Sequence, residues 1–314
     1  MLRSIQHLQL TAAAGVLFAI SACADILNIP DQPQLTDTGP WRCLREPEDV
    51  DPPKREKATV QLQACNFVSS NCSTPVTNLT ASLCDKLDVD CTKPIASNIT
   101  DSAGRLTAEV RTGGALGSGF DGFLRVTAPS ERCDNEAVFG EASAALCGLA
   151  QLQGCNLEAP DDRCKMPTFA PAMYFFNPPV RDDFERPIPL PLVPTVAIQP
   201  ILEAVGGTTI DPSTGFLFIT ALDCDGNPAP GVQFSMRQNQ ASVTQLYIDN
   251  GVVSRSANQT DKSGLAGFVH VPAGFAGIVG ATTGNDTTPP ETIGELGVQI
   301  AAFTITYGTL APSR

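Results

Sequence analysis

Charged and aromatic residues are scarce in this sequence. Charged residues make up 17% and aromatic residues 6% of its 314 residues, and only two histidines occur. The 20 basic residues are outnumbered by 33 acidic ones, which gives a formal net charge of -13. Nucleic-acid binding depends on basic side chains that neutralise phosphates, so nucleic acid is excluded as an expected partner.

Long apolar runs are missing after the first 23 residues, and no later stretch is long enough to predict a membrane span. The chain begins with a basic residue, Arg3, followed by an apolar stretch from Leu8 to Ile20 and then small residues. This pattern is typical of an export signal. An apolar run of about 13 residues is too short to cross a bilayer as a helix.

The signal-like segment ends in Ile20-Ser21-Ala22-Cys23. This ending resembles the lipobox of bacterial lipoproteins. The resemblance implies that residues 1–22 are a signal peptide and that Cys23 is acylated, for example with palmitate. It further implies a bacterial membrane anchor, on the outer membrane or cell surface rather than the inner membrane. The alternative is an ordinary secretory signal and an unmodified Cys23.

Ten cysteines remain besides Cys23, and an even number in an exported chain predicts a disulfide framework. They are Cys43, Cys65, Cys72, Cys84, Cys91, Cys133, Cys147, Cys155, Cys164 and Cys224. Equal spacing favours the pairs Cys65–Cys72 and Cys84–Cys91, although Cys65–Cys84 remains open. If all ten pair, Cys224 must bridge to an earlier cysteine, with Cys43 the expected partner. The sequence has no C-x2-C pair, so these cysteines are not expected to bind a metal.

Glycine and proline are common, at 26 residues each, which favours turn-rich β structure. Residues 23–57 are rich in proline and charge and are interpreted as a tether, with Trp41 and Cys43 attaching its middle to a domain. From residue 58 apolar and polar residues alternate, with Val60, Leu62 and Ala64 on one face. Alternation with a period of two predicts half-buried strands.

The strand pattern occurs twice. Residues 58–65 match 216–224, and a Thr-Asp-x-x-Gly motif follows at 100–104 and again at 260–264. In this motif Asp caps a turn and Gly supplies a positive φ. The distance from Cys65 to Asp101 is 36 residues and that from Cys224 to Asp261 is 37, which indicates two copies of one β module.

The second copy resembles the transthyretin-like, or carboxypeptidase-regulatory-like, β-sandwich in its turn motifs at 223–232, 260–264 and 271–274. The resemblance implies a mainly β fold with two antiparallel β-sandwich, Ig-like domains. The expected modules are 58–193, with a Cys-rich, partly helical insertion at 128–165, and 194–314. Catalytic members of related families use several histidines, and this chain cannot build such a site.

The segments between and after the two copies have their own expected structures. Helices are expected near 135–149 and 200–205, a strand at 173–176, and an extended polyproline-like strap between the domains at 187–194. The last strand is expected to point Phe303, Ile305 and Tyr307 inward and to leave Thr304 and Thr306 in solvent.

No residue pattern predicts a cofactor or a catalytic site. His270 is the only histidine after the signal and is expected on the solvent face of a strand. The glycines at 117–122 formally fit G-x-G-x-x-G but precede a predicted strand, so they are interpreted as a hairpin. Acidic residues at 85–90, 182–185 and 223–225 could hold Ca²⁺, but turn carboxylates are the simpler interpretation. The Asn-x-Ser/Thr sequons are incidental if the chain is bacterial; they lie at Asn71, Asn78, Asn98, Asn258 and Asn285.

The sequence therefore predicts a non-enzymatic envelope lipoprotein with a structural role or a binding role towards a protein or glycan. Loops at the ends of rigid sandwiches are common recognition sites. The alternative is an accessory subunit of an envelope enzyme or transport complex.

Overall fold

The computed structural model describes residues 41–44, 56–66, 73–113, 119–158, 161–184, 187–206, 210–237, 242–249, 252–283 and 290–312. Its strands, in chain order, are β1 (Lys57–Asn66), β2 (Thr80–Asp85), β3 (Ala96–Ile99), β4 (Arg105–Arg111), β5 (Gly122–Thr127), β6 (Ser130–Arg132), β7 (Lys165–Pro167), β8 (Ala172–Phe175), β9 (Ile188–Leu192), β10 (Thr214–Ala221), β11 (Val232–Met236), β12 (Thr244–Asp249), β13 (Val252–Ser254), β14 (Leu265–Pro272), β15 (Gly274–Thr282), β16 (Thr292–Ile300) and β17 (Ile305–Leu310). The α-helices are α1 (Glu136–Phe139), α2 (Ser143–Leu152) and α3 (Ile198–Ala204). The predicted mainly β fold is confirmed.

Nine strands form one large sheet, in the order β13-β12-β14-β10-β17-β8-β5-β2-β3. Its halves meet where β17 pairs in parallel with β8, with Tyr307 opposite Tyr174. Strands β4-β1-β9 form a second sheet, β11-β15-β16 form a third, and β6 pairs with β7. The N-terminal and C-terminal parts of the described chain therefore share a continuous sheet.

The two three-stranded sheets cover opposite faces of the large sheet. On β8, Ala172 belongs to the core beneath β4-β1-β9, whereas the adjacent Met173 belongs to the core beneath β11-β15-β16. Successive side chains of a strand point to opposite faces. Each small sheet therefore encloses its own core with a different half of the large sheet.

A third core lies between the helices and the C-terminal half of the large sheet. It contains Leu146 of α2, Leu202 of α3 and Phe216 of β10. This half is therefore covered on both faces, which overturns one expectation. Thr304 and Thr306, predicted to face solvent, are only 5% and 0% exposed.

The same strand pairing occurs twice along the chain. Strand β1 pairs antiparallel with β4 and parallel with β9, and β10 pairs antiparallel with β14 and parallel with β17. Likewise β5 pairs antiparallel with β2 and β8, as β15 does with β11 and β16. The duplicated sequence pattern thus coincides with a duplicated pairing scheme.

Backbone hydrogen bonds fix the correspondence between the two copies. The N–H of Ala64 donates to the carbonyl of Gly104, and the N–H of Ala221 donates to that of Gly264, both at 2.8 Å. Ala64 therefore corresponds to Ala221, which makes Leu222 the equivalent of Cys65. The alignment of Cys65 with Cys224 is wrong because these two cysteines occupy different positions in their modules.

The Thr-Asp-x-x-Gly turns form as predicted. Asp101 and Asp261 each accept a 2.8 Å hydrogen bond from the N–H two residues further along. Gly104 and Gly264 have φ angles of 69° and 66°. A side chain at these positions would be strained, because L-residues rarely adopt a left-handed backbone conformation.

The connecting segments largely follow the sequence. The proline run forms β9 at the edge of its sheet, where a missing N–H is tolerated. The helix expected near 135–149 is divided into α1 and α2, and that expected at 200–205 is α3. Among the described residues, no helix is long and apolar enough to cross a membrane.

Candidate functional site

The N-terminal segment is attached to the C-terminal half of the fold just after β10. Cys43 forms a disulfide with Cys224 across 181 positions of the sequence. Beside this bond Arg42 forms an ion pair with Asp225, in which Nη1 donates to Oδ2 at 2.9 Å. Trp41 packs against the neighbouring core. The middle of the predicted tether is thus attached to the folded part, as expected from Trp41 and Cys43.

A second disulfide, Cys84–Cys91, closes the loop between β2 and β3. Asp88 stiffens this loop by accepting backbone hydrogen bonds. The hydrogen bonds lower the pKa of the Asp88 carboxyl, and the one from the N–H of Lys93 has the largest effect. Leu87 lies at the tip of the loop and is 91% exposed. The apolar side chain of Leu87 is therefore exposed to solvent at the tip of a loop that the Cys84–Cys91 disulfide closes.

The remaining cysteines lie in the predicted insertion or near β1. Within the insertion, Cys133 bonds to Cys147 and Cys155 to Cys164. Cys65 is also disulfide-bonded. Cys72 and the proposed lipidation site Cys23 lie outside the described residues.

An apolar cleft of about 230 Å³ opens on the large sheet between β9 and α3. Its floor contains Phe218, Tyr307 and Tyr174, which are neighbours across β10, β17 and β8. Pro189 and Pro191 of β9 form one wall. The cleft therefore lies where the two halves of the large sheet join, between the sheet that covers one half and the helices that cover the other.

The polar side chains that line the cleft are Tyr174, Tyr307, Thr220 and Thr309. The hydroxyl of Tyr307 donates to the carbonyl of Pro191 at 2.7 Å and so ties the floor to the wall. No described residue forms a hydrogen bond with the hydroxyl of Tyr174. The Tyr174 side chain is half-buried, and desolvation raises its pKa to about 12. Its hydroxyl is consequently neutral and able to donate at ordinary pH.

His270 is half-buried at the end of β14 rather than open to solvent. Its φ is 57°, which turns the backbone out of the regular strand conformation. Its charge helps to lower the pKa of the Asp211 carboxyl, after the larger effect of hydrogen bonds from Ser213. His270 thus has an acidic neighbour on the surface.

The remaining sequence motifs are the glycines at 117–122 and the acidic clusters. Of the cluster at 182–185, Asp183 accepts a 2.7 Å hydrogen bond from the N–H of Thr59 in β1, and Glu185 lies outside the described residues. Gly119 and Gly122 lead into a strand, β5, but the predicted hairpin is wrong, because β4 pairs with β1 in one sheet and β5 pairs with β2 and β8 in another. Residues 114–118 lie outside the described residues. Asp85 and Asp223 accept hydrogen bonds from N–H groups two residues on. Among the described residues, no cluster of His, Cys, Asp and Glu has the arrangement of a metal site.

Three of the sequons, at Asn78, Asn98 and Asn258, are exposed. Asn71 and Asn285 lie outside the described residues. The structure therefore places every described sequon on the surface.

Sequence reasoning missed the cleft. Phe218 and Tyr174 are 44 residues apart in the chain, and no periodic pattern links them. The one available signal was Tyr174 itself, an aromatic residue with a polar end in an otherwise apolar strand. That signal identifies a half-buried position but not its neighbours.

No protein-family model and no curated protein matches the chain. Among solved structures, the Bacillus anthracis TIE protein matches with 13% identity and a TM-score of 0.23, over 82% of this chain and 34% of its own. A streptococcal ancillary pilin matches with 14% identity and a TM-score of 0.20, over 81% of this chain and 68% of the pilin. The C-terminal fragment of the pilus adhesin SpaC from Lactobacillus rhamnosus GG matches with 9% identity and a TM-score of 0.18. This match covers 82% of this chain and 98% of the SpaC fragment.

This chain spans about a third of the length of the TIE protein. At these TM-scores the folds do not superpose as wholes. The matches consequently assign neither a family nor a function to this chain.

Proposed function

We propose that this chain is a bacterial cell-envelope lipoprotein with a structural or binding role, not an enzyme. Residues 1–22 direct export, and acylated Cys23 anchors the protein in the outer membrane or on the cell surface. The ten other cysteines fit an oxidising compartment. The single histidine outside the signal leaves no histidine pair for metal or proton-transfer chemistry.

The attachment of Cys43 to Cys224 is the observation that best supports this proposal. From Cys23 to Cys43 the chain has 20 residues, which span on the order of 25 Å as a flexible coil. The disulfide and the adjacent Arg42–Asp225 ion pair then transfer any pull on the anchor to the end of β10. An anchored protein needs such a firm point of attachment.

The anchor is tested by replacing its cysteine. Cys23→Ala is expected to abolish labelling with radioactive palmitate and to move the protein from the membrane fraction to the soluble fraction. Cys43→Ser is the matched control, which removes a different cysteine and should retain both properties. Unchanged labelling and fractionation of Cys23→Ala would contradict the proposal.

We also propose that residues 58–193 and 194–314 are two β-sandwich modules of the transthyretin-like type, with an insertion at 128–165. The repeated strand pairing supports two modules. Because β17 pairs with β8, the modules share the large sheet and should unfold in one transition. Separate calorimetric transitions would contradict this arrangement.

The binding role is proposed for the loop closed by Cys84–Cys91. The exposed Leu87 and Val89 favour a protein partner, as expected of an accessory subunit, over a glycan, because exposed apolar side chains are typical of protein–protein contacts. Leu87→Asp should remove a stoichiometric partner recovered from detergent-solubilised membranes. Leu152→Asp, at a residue 73% exposed on α2, is the control and should retain it.

A further inference from the structure

The cleft between β9 and α3 has no part in the proposed function, and its lining restricts what it can hold. None of the described residues that line it is charged. An ion that enters an uncharged apolar site loses hydration and gains no counter-charge. The net charge of -13 further disfavours an anion. The occupant of the cleft is therefore uncharged.

The wall formed by β9 disfavours a peptide. An extended peptide normally binds beside a strand through main-chain hydrogen bonds. Pro189 and Pro191 have no N–H, and the carbonyl of Pro191 already accepts the hydroxyl of Tyr307. A peptide would bury main-chain groups here without partners, a cost that an aliphatic chain does not incur.

The floor offers the hydroxyls of Tyr174 and Thr220 to an occupant. The hydroxyl of Tyr174 has no partner among the described residues. Its pKa is raised to about 12 by desolvation, so it remains protonated at neutral pH. This hydroxyl is accessible from the cleft, so an oxygen of an occupant can accept a hydrogen bond from it.

The size of the cleft limits the length of the occupant. Its volume of about 230 Å³ exceeds the roughly 150 Å³ of an apolar cavity that takes up benzene. At about 30 Å³ for each small group, the volume of a water molecule, it accommodates a chain of roughly eight carbon atoms.

We propose that the cleft binds an uncharged aliphatic chain that carries a hydrogen-bond-accepting oxygen, such as the acyl chain of an ester or amide. Phe218 and the prolines of β9 contact the hydrocarbon, and Tyr174 donates to the oxygen. Binding of such a chain does not require acylation at Cys23. The chain can belong to a separate lipid or to the protein's own anchor, and the test below distinguishes these sources.

The test uses the full chain with Cys23→Ala and isothermal titration with 1-octanol. We expect saturable binding at one site. Octanoate, which has the same length but a charge at pH 7, is expected to bind at least tenfold more weakly. Tyr174→Phe should weaken 1-octanol binding about fivefold, the effect of losing one neutral hydrogen bond.

Two further variants locate the binding. Thr220→Phe adds a ring to the cleft floor and is expected to abolish binding. Thr107→Phe makes the same change at an exposed position of β4 and should leave binding unchanged. Circular dichroism verifies that each variant is folded, and Tyr174→Phe provides a conservative second variant.

Three outcomes would overturn the proposal: octanoate binding as tightly as 1-octanol, unchanged affinity in folded Thr220→Phe, or unchanged affinity in Tyr174→Phe. Binding of an apolar peptide without binding of 1-octanol would overturn it as well. If acylated wild-type protein binds 1-octanol more weakly than Cys23→Ala, the protein's own anchor occupies the cleft. Equal affinity assigns the cleft to an external chain. A failed Cys23 labelling test leaves these titrations unaffected.

Discussion

Cys43 and Cys224 form a disulfide with a sequence separation of 181, which encloses all of residues 58–193. Removing a disulfide that closes so long a loop increases the conformational entropy of the unfolded chain and so lowers the unfolding free energy. In the chain-entropy model the double variant Cys43→Ser/Cys224→Ser loses about 5 kcal/mol of unfolding free energy. Urea unfolding measures this loss.

The control for this prediction is Cys133→Ser/Cys147→Ser, which opens a loop with a separation of 14. Its expected loss is about 3 kcal/mol, because shorter loops restrict the unfolded state less. An equal or larger loss in the control would show that the long loop has no special role.

Gly264 occupies a turn in which a side chain has no room. A Cβ there would lie 2.6 Å from the carbonyl oxygen of Ala221, with φ at 66°. Gly264→Ala is expected to lower the unfolding free energy by at least about 2 kcal/mol. Gly226→Ala is the matched control, because Gly226 also has a positive φ but nothing lies within 4 Å of its Cβ position. Gly226→Ala should lower the unfolding free energy by only about 1 kcal/mol. Similar decreases in the two variants would refute the steric explanation.

The hydroxyl of Tyr307 holds β9 against the large sheet through the carbonyl of Pro191. Tyr307→Phe is expected to lower the unfolding free energy by about 1 kcal/mol, the net contribution of one hydrogen bond. Tyr174→Phe removes a hydroxyl that no described residue contacts and should cost less at pH 7. Thermal unfolding compares the two variants, and the reverse ranking would contradict the assigned hydrogen bond.

Tyr174 predicts a loss of stability at high pH. Desolvation raises its folded-state pKa to about 12, above the unfolded value of about 10. The stabilisation is complete below pH 10 and decreases as the pH rises towards 12, because the unfolded state then loses its proton first. By pH 11 the loss is about 1 kcal/mol. Urea titrations at pH 8 and pH 11 should show a smaller decrease in Tyr174→Phe than in wild type; an equal decrease would contradict this role.

Strand positions and turns were predictable because their causes are local. The alternation of Val60, Leu62 and Ala64 appears directly in the buried face of β1. Asp101 and Gly104 form the predicted turn because a carboxylate and a glycine act on backbone groups within four residues. The proline run was predictable for the same reason, since missing N–H groups exclude a central strand.

The cleft was not predictable, because its residues come from strands that are distant in the chain. The row of Phe218, Tyr307 and Tyr174 exists only because β17 lies between β10 and β8. The burial of Thr306 also depends on a distant segment, since its hydroxyl donates to the carbonyl of Gln299 in β16, whereas the adjacent Ile305 faces the helices. Thr306 is polar, as the alternating pattern of the last strand requires, but that strand is β17, which lies in the middle of the large sheet.

The sequence by itself determined a mainly β chain with duplicated turns, an even set of cysteines after the signal-like segment, and a charge unsuited to nucleic acid. The tertiary structure alone decided that the two copies share one sheet, that Leu222 and not Cys224 corresponds to Cys65, and that an apolar cleft forms at the junction. The reason is physical: periodicity and turn chemistry act over a few residues, whereas strand neighbours are selected by packing between segments far apart in the chain.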